Sequence, residues 1–346
     1  MTQTRSLAPR LLRASLKAVV VLAILGCGAW GALALAYQAP GNGIVKYATA
    51  GVWAVVSLLA IAALFSRHPR KAAFVYLLAA GALSFWWTTI PASNDRDWAD
   101  EVGRLTTGVM NGNLVMLKNV RNFDWRSKTD YTVNWEDRSY DLDQLVSVDL
   151  LLSYWTGPSI AHTLVSFGFR DGSFVTFSVE IRKERHESFS EIGGFFKEFE
   201  TSVIAADERD IVRVRTNIRR EDVYLYRVNM PKAQMHSLFL AYVGEADALA
   251  EQPRFYHTVT ANCTTIVYEM VRRIVPGLPL DHRLLLSGYL PEYIFGVGGF
   301  APGFSLQQLR DGGRITDRAL AADTAADFSS RIRRGVPGIP AVEPDT

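Results

Sequence analysis

The chain has 346 residues, 49% of them hydrophobic, with a formal net charge of +2 and two cysteines. That apolar content excludes a disordered chain, and two cysteines exclude a disulfide-built scaffold. The small net charge conceals a split. Arg5, Arg10, Arg13, Lys17, Lys46, Arg67, Arg70 and Lys71 precede Asp95 and no acidic residue does, so a basic first part is followed by a net acidic remainder. Neither part has the basic, aromatic-interleaved character of a nucleic-acid-binding surface, and no nucleic-acid partner is expected.

Three uncharged apolar stretches come first, at about 18–37, 47–66 and 72–90. Each has the ~20 residues that a helix needs to cross a ~30 Å hydrocarbon core. The first follows a basic N-terminus as a signal peptide does. It is longer than the ~7–15 residues of a signal core, and two further spans follow, so a retained helix is expected. Four basic residues lie before the first span and three between the second and third, but only Lys46 between the first and second. The positive-inside rule then predicts a cytoplasmic N-terminus and an outward-facing remainder. Residues 1–93 read as an anchor in the cytoplasmic (inner) membrane. The alternative, three buried helices of a globular domain, is disfavoured by three successive spans without a charge.

From Asp95 the pattern becomes that of an α+β domain, 94–300, on the periplasmic, extracytoplasmic side. Asp97 to Met110 reads as a short amphipathic helix, and 114–120 and 131–135 as strands. The segments 146–155, 160–169 and 174–182 are rich in β-branched and aromatic residues and are the clearest strands; 211–216 and 223–228 are further ones. Pro231 opens a helix to about Glu251, and a second helix is predicted from about Cys263 to Val275, stopping before Pro276-Gly277. Beyond Gly299 the pattern decays into a Gly-, Pro- and charge-rich stretch, and 301–346 reads as a C-terminal tail. No internal repeat is present.

Cys27 lies within the first span, where a cysteine is a small apolar residue. Cys263 therefore has no disulfide partner in the outer domain. An unpaired cysteine in an oxidising compartment asks for a reason. Asn262 is a good N-cap and places Cys263 at the start of its helix, where free backbone N–H groups and the helix dipole lower a thiol pKa and can cradle an oxyanion. A buried structural cysteine is the competing reading.

A thiolate nucleophile needs a base. His186, His236 and His282 read as solvated, and His257 as a loop residue that could lie near Cys263. His162 is the sharper candidate because of its hairpin. A three-residue loop, Arg170 to Gly172 with a left-handed glycine, sets Val165 opposite Phe177, Phe167 opposite Val175 and Ser166 opposite Thr176. A two-residue loop would set polar against apolar along the whole ladder, and a one-residue slip turns every side chain to the wrong face. In the three-residue register His162 lies opposite Glu180, with Cβ atoms ~5 Å apart, close enough for a carboxylate to orient an imidazole. Cys263, His162 and Glu180 then form a nucleophile, base and orienter. The competing role for Glu180 is a surface ion pair.

The segments Ser153-Tyr154-Trp155, Ala161-His162-Thr163, Ser178-Val179-Glu180-Ile181-Arg182, Arg215-Thr216-Asn217, Asn262-Cys263-Thr264-Thr265 and Gly288-Tyr289-Leu290-Pro291-Glu292-Tyr293 resemble the Lnb-type periplasmic domain family, over roughly Asn94 to Gly299. The family's namesake is a lipoprotein N-acyltransferase that makes lyso-form lipoproteins. The resemblance implies a papain-like, NlpC-like domain with an antiparallel sheet and with His ahead of Cys, the order of the lecithin–retinol acyltransferase group. On it His162 and Cys263 match the base and the nucleophile.

The function expected is that of a membrane-anchored thiol acyltransferase working through a cysteine thioester on membrane lipids or lipoproteins. Asn262, Tyr154 and Thr264 are expected to support the oxyanion. An NlpC-like peptidase or amidase acting on peptidoglycan would use the same three residues, and a non-enzymatic membrane-anchored binding module would use none. No metal-ligand spacing is present, His186-Glu187 alone being weak, and Gly296-Val297-Gly298-Gly299 lacks dinucleotide-loop spacing, so neither metal nor cofactor is implied.

Overall fold

A computed structural model describes residues 8–340. The expectations that touch Arg5 and the last six residues of the tail lie outside the described residues. The chain forms two compact units, one running to Ala92 and including Ser190–Glu198, the other made of Ser93–Phe189 and Phe199 onward.

In the first unit α1 (Ala8–Gln38), α2 (Gly43–Ala63) and α3 (Pro69–Thr89) are long and apolar enough to cross a membrane. Asn42 caps α2 by accepting from the Val45 amide, and proline in the first turn opens α3. Without a hydrophobic drive between apolar helices, small residues and hydrogen bonds must hold them. At Gly31 of α1 a Cβ would stand 2.3 Å from Trp53 Nε1, so only glycine lets Trp53 of α2 close on α1. The Tyr76 hydroxyl of α3 lies 3.1 Å from Ser57 Oγ and donates to the Ile24 carbonyl at 3.3 Å, joining all three helices. Leu22, Leu58 and Leu77 point outward and are exposed. Cys27 lies in α1, where its carbonyl accepts from Trp53 Nε1.

The second unit is α+β. Its strands are β1 (Thr107–Asn111), β2 (Leu114–Arg121), β3 (Asp124–Trp125), β4 (Tyr131–Thr132), β5 (Trp135–Asp141), β6 (Leu145–Thr156), β7 (Ile160–Phe169), β8 (Phe174–Arg182), β9 (Glu200–Ala206) and β10 (Asp222–Arg227). Its helices are α4 (Glu208–Arg213), α5 (Lys232–Glu251), α6 (Thr265–Ile274), α7 (Leu290–Gly296), α8 (Leu306–Gly313), α9 (Thr316–Ala322) and α10 (Phe328–Arg333). Seven strands of the main sheet run in the order β1-β2-β9-β8-β7-β6-β10, with β5 on β2. The sheet is mixed rather than purely antiparallel, because β9 inserts between β8 and β2 and meets β2 in parallel at Arg121 and Ala206.

The β7–β8 hairpin has the register selected by its polarity pattern, with Val165 opposite Phe177, Ser166 opposite Thr176 and Phe167 opposite Val175. Gly172 closes the loop at φ 83°. On one face Val165, Phe167, Val175 and Phe177 pack against Phe239 and Tyr242 of α5. Burying each such side chain contributes about 1.5–3 kcal/mol. On the other face Leu164, Ile204, Val223 and Leu225 pack against Ile211 and Val212 of α4 and against Phe328 and Ile332 of α10.

Three local expectations are corrected. Residues 97–110 hold a short 3-10 turn, Asp100–Val102, and then β1 rather than an amphipathic helix. Gly108 lies so close on α5 that a Cβ would stand 2.3 Å from Val243, and its amide donates to Asp247, an anchoring that helix propensity cannot foresee. Residues 211–216 are helical rather than a strand. Asp207 caps α4 by accepting from the Arg209 amide, and burial beneath the sheet overrides the β-propensity of Ile211, Val212 and Val214. The stretch from residue 301 is not a loose tail, for α8, α9 and α10 are built into the sheet's second face. Arg333 is 5% exposed and reaches Asp149 at 2.9 Å and Glu208 at 2.6 Å. One charge of this solvated-looking segment, Arg333, is thus a buried partner of acids in the sheet and in α4.

Candidate active site

Polar residues within β7 and β8 have two destinations. Ser166 is buried beneath α4 and α10, where it donates to Glu208 at 2.6 Å. His162, near the start of β7, faces Ser153 of β6 just before that ladder breaks. Continuing the hairpin register from the Leu164–Ser178 pair brings His162 to Glu180.

The imidazole and carboxylate meet closely. His162 Nε2 lies 3.2 Å from Glu180 Oε1 and 2.7 Å from the Ser178 hydroxyl, which donates to the same carboxylate oxygen at 2.7 Å. Arg215 adds a charged donor to that oxygen at 3.0 Å and faces Glu221 on its other side at 3.4 Å. Ser153 closes the chain with a very short hydrogen bond to Glu221. Arg215 stands in a π-helical turn, Val214–Arg219, an irregularity of the kind that accompanies functional sites. Glu180 is therefore no solvated surface ion pair.

Asn262 fixes the cysteine. Its Oδ1 accepts from the amides of Thr264 and Thr265, both at 2.9 Å, and its Nδ2 donates to the Thr258 carbonyl at 2.7 Å. His257 holds the preceding turn, pairing its backbone both ways with Ala261. Thr264 then meets Thr163 of β7, hydroxyl to hydroxyl at 3.1 Å, and Cys263 lies beside His162 one residue along that strand. With Nε2 engaged by Ser178 and Glu180, Nδ1 is the ring nitrogen left to face the thiol.

The electrostatics follow from this packing. Burial pushes the Cys263 thiol up, but the charge and hydrogen bond of His162, with help from the Thr163 backbone and the Thr264 hydroxyl, bring it below its ordinary value. Burial and Arg215 push His162 down, while Glu180 and Cys263 outweigh them and raise it to about 9. Burial raises Glu180, and His162 and Arg215 carry it well below the ordinary carboxylate range. The set favours a thiolate beside an imidazolium, the reactive form of a cysteine nucleophile.

The supporting residues divide. Thr264 stands 4.0 Å from the Cys263 sulfur. The Asn262 side chain is committed to capping, and two of the amides expected to cradle an oxyanion are tied to it. The Tyr154 hydroxyl donates to the Gly288 carbonyl at 2.7 Å, so it braces the 287–289 turn. That turn in turn holds β7: Ser287 accepts from the Ala161 amide and donates to the Ala161 carbonyl. Two tyrosines that the sequence left unmarked come to Cys263. The Tyr256 hydroxyl accepts from the Cys263 amide, and the buried Tyr242 hydroxyl has no hydrogen-bond partner. Burial, and after it the Cys263 charge, raises both phenols. Nothing local marks either: one sits in the apolar stripe of α5, the other in a loop. His186 and His282 are exposed as expected. The Nε2 of His236 is instead buried without a partner.

No curated protein and no solved structure matches the chain. Residues 131–288, the stretch that holds His162, Glu180 and Cys263, match the family model of the Lnb N-terminal periplasmic domain.

Proposed function

We propose that this protein is a membrane-anchored thiol acyltransferase, acting through a thioester on Cys263 upon lipid or lipoprotein substrates at the outer face of the cytoplasmic membrane. The observation that carries the reading is the contact of a lowered thiol with an imidazole held by Glu180, Ser178 and Arg215. The fold is read as papain-like and NlpC-like, with the base on a strand ahead of the nucleophile helix. The three apolar helices are read as membrane spans with the N-terminus inside, an orientation supported by the basic residues before the first apolar stretch and between the second and third.

In this account His162 holds the proton of Cys263. The thiolate attacks an ester carbonyl, and the Tyr256 hydroxyl donates to the tetrahedral oxyanion. Collapse leaves the acyl group on sulfur, and the His162 proton passes to the departing alkoxide. An amine then attacks the thioester, giving up its proton to His162, and the thiolate is restored. Glu180 keeps the ring oriented throughout.

The test is mass spectrometry of lipoproteins and lipids from cells carrying the wild-type chain or Cys263→Ala. The reading predicts lipoproteins whose acylation changes only when Cys263 is present. Unchanged lipoproteins and lipids, or muropeptides released by the wild type alone, would contradict it.

A further inference from the structure

Beside the proposed nucleophile, the second unit contains a cavity of about 220 Å³ whose described lining carries no charged side chain. We propose that this cavity is the acyl-chain site, taking one saturated chain with its carbonyl carbon at Cys263; the proposal rests on the thiol-acyltransfer reading above.

Position is the first argument. Thr163 and Thr264 line the cavity, and the Thr264 hydroxyl is 4.0 Å from the sulfur, so one end of its wall adjoins the thiol. Val267, Val271 and Val275 follow Cys263 at intervals of four and also line it. That spacing draws an apolar stripe along α6 leading away from the thiol. Val148, Leu150 and Val165 of the sheet form the opposite wall.

Chemistry is the second. Several polar atoms of the lining already have partners. Thr163 and Thr264 bond each other, the Tyr268 hydroxyl donates to the Leu278 carbonyl at 3.0 Å, and the Tyr293 hydroxyl donates to the Pro279 carbonyl at 2.8 Å. A peptide or glycan would lose its hydrogen bonds to water there and find little in return. An alkyl chain loses none. The volume exceeds the roughly 150 Å³ of a dry apolar cavity that accepts benzene. Leu280 and Leu285, next in chain to the lining segments, are 82% and 49% exposed, an apolar rim of the kind that suits delivery from a lipid surface.

The test uses the full chain in detergent micelles with p-nitrophenyl esters of acetate, butyrate, hexanoate and octanoate. The thiolate displaces p-nitrophenolate, forming the Cys263 thioester and leaving the thiol proton on His162; intact-protein mass gives the acylation rate. Each added methylene should raise that rate up to about fourfold, the factor matching ~0.8 kcal/mol per buried CH₂, until the cavity is filled. Val271→Phe should flatten this dependence, and iodoacetamide alkylation of Cys263 reports that the thiol–imidazole pair is still assembled. Val271→Ala should move the preferred chain one or two carbons longer. A wild-type rate independent of chain length, with Cys263 still acylated, overturns the acyl site and leaves the nucleophile standing. A Val271→Phe variant that keeps the wild-type slope also overturns it, as does an unshifted preference in Val271→Ala should Val271→Phe lose alkylation. Acylation of Cys263 by none of the esters overturns the thiol-acyltransfer reading and the acyl site together.

Discussion

His162 Nε2 lies 3.2 Å from Glu180 Oε1, and each atom is 2.7 Å from the hydroxyl of Ser178. A carboxylate and a hydroxyl thus share one ring nitrogen, fixing both the orientation of the imidazole and which nitrogen faces Cys263. Glu180→Gln keeps the shape but removes the charge that raises His162. We expect acylation of Cys263 to fall roughly 10²–10³-fold, with a smaller, ~10-fold loss for Ser178→Ala. Equal rates for Glu180→Gln and wild type, measured by thioester formation, would remove Glu180 from the mechanism.

The thiol and imidazole pKa values predict a pH profile. His162 lowers the Cys263 thiol against burial, so His162→Ala leaves burial alone and sends the thiol above its ordinary value. Iodoacetamide alkylation at pH 7 should slow at least ~10-fold in that variant, and its pH midpoint should rise. Linkage gives the window. His162 is raised from 6.5 to about 9, so its stabilisation is complete below pH 6.5 and is lost as pH rises through about 9. Glu180 is lowered from 4.5, so its stabilisation is present above pH 4.5 and is lost as pH falls below it. The site should be best held between these limits, and an alkylation midpoint unchanged by His162→Ala contradicts the pairing.

Tyr256 separates acylation from simple thiol reactivity. Its hydroxyl accepts from the Cys263 amide, which places its O–H beside the proposed oxyanion. Alkylation forms no oxyanion. Tyr256→Phe should therefore slow thioester formation ~10–100-fold while changing iodoacetamide alkylation less than ~3-fold. Parallel losses in both reactions would assign Tyr256 to positioning alone.

Arg333 joins the C-terminal helices to the sheet through Asp149, Glu208 and Ser166, and it lies over the Phe174 ring at 3.6 Å. Its removal takes the cation from buried Glu208 and leaves buried Asp149 with Arg227 alone. Arg333→Ala should cost about 3–5 kcal/mol of stability, read as a lowered denaturation midpoint. Truncation after Pro302 should be at least as damaging. A fully stable truncated protein would show that the segment is dispensable.

How much of this was legible depends on whether a residue's neighbours lie close in sequence. The apolar helices announce themselves by length and missing charge. The β7–β8 register follows from alternation and a glycine in one hairpin, and it brings His162 and Glu180 together. The Asn262 turn is equally local, although α6 begins at Thr265 and Cys263 stands just ahead of it rather than in its first turn. Arg215, by contrast, reaches Glu180 from a π-helical turn whose β-branched residues imitate a strand. Tyr242 and Tyr256 reach Cys263 only through the packing of α5 and of a loop. The helices from Leu306 to Arg333 resemble a solvated tail until Asp149 and Glu208 receive Arg333. For Arg215, Tyr242 and Arg333 the deciding partner lies tens of residues away or more, while Tyr256 is near Cys263 in sequence but sits in a loop without a pattern to mark it.

The most direct measurement is peptide-level mass spectrometry of the full chain, purified in micelles and incubated with a diacyl lipid substrate. The account predicts a hydroxylamine-sensitive acyl mass on the peptide containing Cys263, diminished in His162→Ala and absent in Cys263→Ala. An acyl adduct on another residue, or acyl transfer that persists in Cys263→Ala, would contradict it.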